Sequence, residues 1–171
     1  PLNVGMLGMH GNYGPNILTN ECDVLIAIGM RFDDRVTGNL ATYAKQAKVI
    51  HFEIDPAEVD KNVKTDVAVL GDVKESLAAL LPLVEAKSHE AWHNEFKEKY
   101  KIELESVIND ELNPKGEGIS MGETIEMINK HSNGDAIMVS DVGQHQMFTC
   151  RYSKFNQSKS NITSGGLGTM G

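Results

Sequence analysis

The chain has 171 residues, a net charge of −8, 40% apolar residues and 23% charged ones. Those proportions fit a soluble globular protein of one domain or pieces of two, and the acidic balance argues against a nucleic-acid or anionic-membrane partner. No apolar run approaches the length of a membrane span, no signal peptide opens the chain, and Cys22 and Cys150 form no CxxC pair, which suits a reducing cytoplasm. The chain starts at Pro1 without a methionine and stops at Gly171 inside a glycine-rich loop, so it reads as a fragment.

Gly5, Gly8 and Gly11 make the opening segment a loop, whose glycines and His10 suit backbone contact with a flat or phosphorylated ligand or else form a plain turn. Asn12 to Asn20 follow as a short helix. The stretch from Cys22 to Arg35, CDVLIAIGMRFDDR, organises what comes next. Val24 to Ile28 reads as a buried parallel strand, and Gly29 ends it in a loop carrying Arg31, Asp33, Asp34 and Arg35. In open α/β sheets ligands sit outside the carboxyl ends of the strands, and Arg31 offers a planar fork suited to phosphate. The competing reading is a surface loop whose charges pair with each other.

Residues 39–46 read as a short helix and Lys48 to Asp55 as a second strand, giving a βαβ unit that is right-handed by default. Glu53 lies near the carboxyl end of that strand, where an acid can accept hydrogen bonds from ribose hydroxyls. Val67 to Leu70 is a third strand closed by Gly71-Asp72. Asp72 and Glu75 have capping-box spacing, which starts a helix running to about Ala86 with Leu77, Leu80, Leu81 and Val84 as its buried stripe.

Residues 88–112 form a charged helix striped by Trp92, Phe96, Tyr100, Leu104 and Ile108. It contains His89-Glu90-Ala91-Trp92-His93, a formal HExxH match that would put two imidazoles on one helix face with Glu90 as general base of a zinc hydrolase. Against that stand the heavy charge, the place of His89 in the first turn and the lack of a third ligand; solvated histidines are the competing reading. Ser120 and Glu123 form a second capping box, for a helix through about His131. Asn133-Gly134-Asp135 turns the chain, Ala136 to Ser140 is a strand, and Asp141 to Met147 is its carboxyl-end loop with Gln144 and His145. Ser164 to Gly171, SGGLGTMG, is a glycine-rich loop able to present backbone N–H groups to a diphosphate.

GMLGMHG, IGMRFDDRVTGN, HFEIDPAEV, GDV, SDVGQHQM and SGGLGTMG, in that order, closely resemble the acetolactate synthase (acetohydroxyacid synthase) large catalytic subunit family over essentially the whole chain. The resemblance implies a three-layer, parallel-sheet, Rossmann-like α/β fold. Residues 1–86 would be the second half of a central FAD-binding domain, 87–118 a linker helix and loop, and 119–171 the start of an α/β thiamine diphosphate-binding domain.

By the same resemblance, FAD contacts fall on Gly8, Met9, His10, Gly11, Gly29, Met30, Arg31, Phe32, Asp33, Glu53, Ile54, Asp72, Val73 and Gly165. Thiamine diphosphate contacts fall on Gln144, His145, Gly168, Thr169 and Met170, with Met170 bracing the bent cofactor. Asp34 and Arg35 would line the substrate channel. Met30, Glu53 and Phe148 depart from the residues commoner in the family, and none removes a needed chemical group. The implied activity of the intact enzyme is decarboxylation of pyruvate and ligation of the two-carbon unit to pyruvate or 2-oxobutyrate, on the way to branched-chain amino acids. It would use thiamine diphosphate, FAD and Mg²⁺, in a cytoplasmic homodimer or tetramer with a regulatory small subunit.

The family's activating glutamate and its magnesium ligands lie outside these 171 residues, so the fragment alone is expected to be inactive, with no catalytic and no metal residue of its own. The rivals are a sister carboligase or oxidase of the glyoxylate carboligase or pyruvate oxidase type, the zinc hydrolase, and a non-catalytic nucleotide-binding module.

Overall fold

The computed structural model describes residues 2–171, and the chain forms two compact units, Pro1–Glu98 and Lys99–Gly171. The first is built on three parallel strands, β1 (Val24–Ile28), β2 (Lys48–Glu53) and β3 (Val67–Leu70), in the order β1-β2-β3. Ala27 lies beside His51 and Ile28 beside Phe52, while Phe52 lies beside Val69 and Glu53 beside Leu70. Paired residues of a parallel ladder share a face and successive residues alternate. Leu25, Ala27, Val49 and His51 therefore point one way, and Val24, Ile26, Ile28 and Phe52 the other.

The first face is packed: Ala27 and Val49 join Phe32, Tyr43 and Ala44 in a buried cluster. The second face is largely open, with Val24, Ile26 and Ile28 all exposed, which corrects the expectation of a strand buried on both sides. Helix α3 (Val73–Leu80) packs on β2, and Phe52 on that strand is buried.

Other local expectations also shift. Residues 39–46 are successive turns, not a helix. The helix comes earlier, as α2 (Asp34–Thr37), because the Asp33 carboxylate accepts from the Arg35 amide and sets the first turn; Gly38, at φ 59°, then ends it. Asp34 and Arg35 are thus helical rather than looped. Strand β2 stops at Glu53, so Ile54 and Asp55 fall outside it.

Asp72 caps α3 by accepting from the Lys74 and Glu75 amides, but the helix ends at Leu80 and a 3₁₀ turn, Leu81–Leu83, follows. Pro82 lacks the N–H that would continue it. The expected buried stripe is also wrong, since Leu77, Leu81 and Val84 are exposed. Helix α1 (Tyr13–Thr19) forms as read and buries Leu18 fully.

The charged helix is interrupted. α4 (Glu90–Glu103) passes into a π-helical turn, Leu104–Ile108, and then α5 (Asn109–Leu112). The wider turn breaks the α-helical spacing of the stripe: Ile108, at the end of that turn, is buried, whereas Tyr100, before it, is exposed.

In the second unit α6 (Met121–Ser132) starts at a complete capping box between Ser120 and Glu123. Asn133 and Gly134 turn at positive φ into β4 (Met138–Ser140), shorter than expected. Gln144 to Tyr152 is helix α7, not loop, so Gln144 and His145 occupy its first turn. A strand that the sequence reading did not find, β5 (Asn161–Thr163), pairs in parallel with β4. Ile108, Ile125 and Tyr152 form the core. Beside it, buried Glu103 pairs with Arg151 and Glu111 accepts from the Tyr152 hydroxyl. The Ser120 hydroxyl also donates to the Glu111 carbonyl at 3.0 Å.

Two predictions follow from these contacts. A Cβ at Gly122 would sit 2.3 Å from the Glu111 carbonyl oxygen, so Gly122→Ala should cost about 1–3 kcal/mol by overpacking, read by urea unfolding. At the entry to β3, the Asp66 carboxylate accepts from the Val49 amide at 2.8 Å and the Lys48 ammonium at 3.2 Å. The amide hydrogen bond, and next the lysine, hold it below the usual carboxylate range. Its stabilising contribution is therefore complete above the ordinary value of about 3.9 and is lost as pH falls through the lowered folded value. Asp66→Asn should make the melting temperature fall less steeply below about pH 4 than in the wild type.

Candidate functional site

Because all three strands run the same way, their carboxyl ends open at one edge. Gly29 leaves β1 there, with its amide donating to the Phe52 carbonyl at 2.9 Å; Gly71 leaves β3, with its amide donating to the Glu53 carbonyl at 3.0 Å. Gly29, Glu53 and Gly71-Asp72 are thereby brought to a common rim. The glycine loop joins it through the Met9 amide, which donates to the Arg35 carbonyl at 2.8 Å. A cavity of about 270 Å³ lies between that loop, α1 and α2, lined in part by Gly8, Met9, Asp34 and Arg35. A larger depression of about 500 Å³, lined in part by Lys48, Val49 and Asp66, opens at the amino end of β2, on the opposite side of the sheet from the rim.

The rim residues differ in what they offer. Gly29 has φ +60° and nothing within 4 Å of the place a Cβ would take, so the backbone there faces open space. Gly8 has φ +91° and is tightly held: a Cβ would lie 2.8 Å from the Arg35 carbonyl oxygen. Its own amide donates to Asn16 Oδ1 at 2.9 Å, and its carbonyl accepts from Asn16 Nδ2 at 3.0 Å. The Gly11 amide donates to the Gly8 carbonyl at 2.9 Å. The amides of Gly8, Met9 and Gly11 are therefore spent inside the chain. The loop offers a shaped surface rather than a cradle of free N–H groups, and no sequence signal marked Asn16 as its clamp.

Arg31 and Arg35 are exposed and pair loosely with Asp33 at 3.5 Å and Asp34 at 3.3 Å. Exposed pairs of this kind are weak, so both guanidiniums keep donors for a ligand. Met9 and Ile54 are also exposed, and Val73 stands at the start of α3. Phe32 is different: at 2% exposure its ring belongs to the core, edge-on to Tyr43 and His51, and only its backbone reaches the rim. Glu53 accepts at Oε1 from the Ile54 and Asp55 amides at 2.8 and 3.2 Å. Its Oε2 lies 3.7 Å from His51 Nε2.

In the second unit the terminal glycine loop folds back onto the end of β4. The Val142 amide donates to the Thr169 carbonyl at 2.9 Å, and the Asp141 carboxylate accepts from the Thr169 hydroxyl at 3.3 Å and the Gly171 amide at 2.9 Å. Gly168, Thr169 and Met170 are thereby brought beside the segment leading into Gln144 and His145. Gly143 leaves room for the His145 ring, since a Cβ there would meet it at 2.9 Å. Gly165 lies in this unit, where a Cβ would stand 3.3 Å from Gln146 Nε2. Asp141, which ties the two segments, was not singled out from the sequence. Among the described residues no three or more His, Cys, Asp or Glu side chains converge as a metal site, and the His89–His93 stretch gains no third ligand.

The family model for “Thiamine pyrophosphate enzyme, central domain” matches residues 1–80. That segment is therefore similar to the central domain of thiamine pyrophosphate enzymes. Similarity to curated relatives runs further, along the whole chain. It is 45% identical, over 99% of its length, to the acetolactate synthase large subunit of Parasynechococcus marenigrum, of which it covers 27%. It is 43% identical, over 99% of its length, to that of Lactococcus lactis, covering 29%. Against the probable acetolactate synthase large subunit of Methanocaldococcus jannaschii the identity is 42% over the entire chain, covering 30%. The chain thus spans less than a third of the length of these relatives. The α/β architecture with parallel sheets fits the family, and no helix among the described residues is long and apolar enough to cross a membrane.

The two loop glycines should respond differently to a methyl group. Gly29→Ala meets only the conformational cost of positive φ, about 1–2 kcal/mol, whereas Gly8→Ala adds a clash with backbone and should lose more. Urea unfolding of the two variants side by side checks that order.

Proposed function

We propose that this chain is a portion of an acetolactate synthase large subunit: a thiamine diphosphate-dependent carboligase acting on pyruvate and a second 2-oxo acid, pyruvate or 2-oxobutyrate. The observation that carries the reading is similarity to acetolactate synthase large subunits over 99% of the chain, together with candidate contacts that share one strand-end rim. Residues 1–86 are read as part of a flavin-binding central domain, 87–118 as a linker, and 119–171 as the start of a thiamine diphosphate-binding domain.

The rim fits FAD in its chemistry. Open space over Gly29 admits a flat or phosphorylated group against the backbone, Arg31 supplies phosphate donors, and Glu53 keeps Oε2 clear of the backbone amides that engage Oε1. Met9, Ile54 and Val73 add apolar contact. FAD serves structure in this reading, since the net reaction transfers no hydride. The glycine loop of the second unit fits a diphosphate: it is exposed, and Asp141 pins it against the entry to α7. Thiamine diphosphate, when bound, supplies the carbanion chemistry that removes carbon dioxide and joins two carbons to the acceptor. The chain's own part is to orient: Gln144 and His145 from the first turn of α7, Gly168 and Thr169 from the loop, Met170 as a brace, and Asp34 with Arg35 at the substrate channel. No ligand for Mg²⁺ is assigned to these residues. A homo-oligomer with a regulatory subunit, working in the cytoplasm, completes the reading.

The test supplies the complete polypeptide carrying this sequence with thiamine diphosphate, Mg²⁺ and FAD and follows acetolactate formed from pyruvate. Product requiring all three is expected, and none from residues 1–171 alone. Bound FAD without product would contradict the reaction and favour a sister carboligase, an oxidase or a non-catalytic nucleotide-binding module.

A further inference from the structure

His51 is the one fully buried histidine among the described residues, with 0% exposure, and neither Nδ1 nor Nε2 has a hydrogen-bond partner. Its strand neighbours on the same face are Ala27 and Ala68, whose small side chains leave room for the ring. The Phe32 ring packs edge-on against it at 5.1 Å. A phenylalanine or leucine would fill this place without burying two bare nitrogens, and such burial is costly. A polar atom close to the imidazole is Glu53 Oε2, 3.7 Å from Nε2 and two residues further along the same strand face.

A carboxylate accepts at about four positions, two on each oxygen. Glu53 uses its Oε1 for the amides of Ile54 and Asp55. That engages Oε1 on the two amides that follow the strand and leaves Oε2 beside the buried imidazole, on a side chain that keeps some exposure. We propose that His51 is a positioning residue for Glu53: its Nε2–H holds Oε2 from inside the core, so that the remaining acceptor position of that oxygen points at a ribose hydroxyl of the bound dinucleotide. The role rests on the FAD reading given above and concerns how the acid is aimed, not whether it is present. Binding closes the gap between Nε2 and Oε2 to hydrogen-bond length.

The test compares His51→Phe, Glu53→Gln and the double variant in the complete polypeptide, measuring FAD affinity by quenching of flavin fluorescence and melting temperature without FAD. His51→Phe should bind FAD about tenfold more weakly, the scale of one hydrogen bond to a charged acceptor. It should melt no lower than wild type, because it removes the bare nitrogens and keeps the packing. The double variant should bind no more weakly than Glu53→Gln alone. Unchanged affinity in His51→Phe, or losses that simply add in the double variant, would overturn the proposal. Should His51→Phe fail to fold, ¹⁵N-histidine spectra of the wild type decide: a proton on Nε2 is expected, and one on Nδ1 overturns it. Wild-type protein that holds no FAD would bring down the flavin reading and this role with it, whereas tight wild-type binding with an indifferent His51→Phe would sink this role alone.

Discussion

Parallel pairing of three short strands is the constraint on which the first unit depends. Once β1, β2 and β3 run the same way, the residues that leave them must emerge together, whatever their separation in sequence. Gly29, Glu53 and Gly71 come from three distant stretches, yet two backbone hydrogen bonds, from Gly29 to Phe52 and from Gly71 to Glu53, extend the ladder to its last residue and line them up. The glycine loop is then drawn in by the bond from Met9 to the Arg35 carbonyl. At this edge Asp33, Glu53 and Asp72 engage backbone amides, while the arginines have little structural work. Arg31 and Arg35 make only loose exposed pairs, and the space a Cβ of Gly29 would take is open.

The second unit repeats the principle on a smaller scale. β4 and β5 are parallel and three residues long, too short to hold a loop by pairing alone. Asp141 takes over that task, its two oxygens accepting from Thr169 and Gly171. Behind it, the buried Glu103 and Arg151 pair and the Asn129 amide, which donates to the Tyr152 carbonyl at 2.8 Å, fix α7 from its far end. The two candidate cofactor surfaces thus rest on different devices: a sheet ladder in the first unit, and in the second the Asp141 carboxylate together with the Val142–Thr169 backbone bond.

The positions of β1 and β3 were legible because their signal is local, whereas that of the three-residue β5 was not. A five-residue apolar run closed by glycine, and VAVL closed by Gly71, need no tertiary knowledge, and their bounds agree with the structure. Capping at Asp72 and Ser120 was legible for the same reason. What failed depended on neighbours. Residues 39–46 have helix-forming composition, but Asp33 starts a helix earlier and Gly38 stops it, so the remaining segment closes on turns. The leucines of α3 match a buried stripe, yet within its unit little packs on them. At the rim, the strand ends and Glu53 could be read from pattern alone. The burial of Phe32, the clamp by Asn16 and the place of His51 could not, although period-two alternation does put His51 and Glu53 on one face.

Hydrogen exchange with and without FAD, on the complete polypeptide, tests the central claim most directly. Slowed exchange is expected to be confined to the strand-end rim: residues 8–11, 29–33, 53–54 and 72–73. Residues 40–48 and 62–66, around the larger depression at the opposite end of the sheet, should exchange as before. Protection centred on that opposite end, or no protection anywhere in the first unit, would contradict that claim.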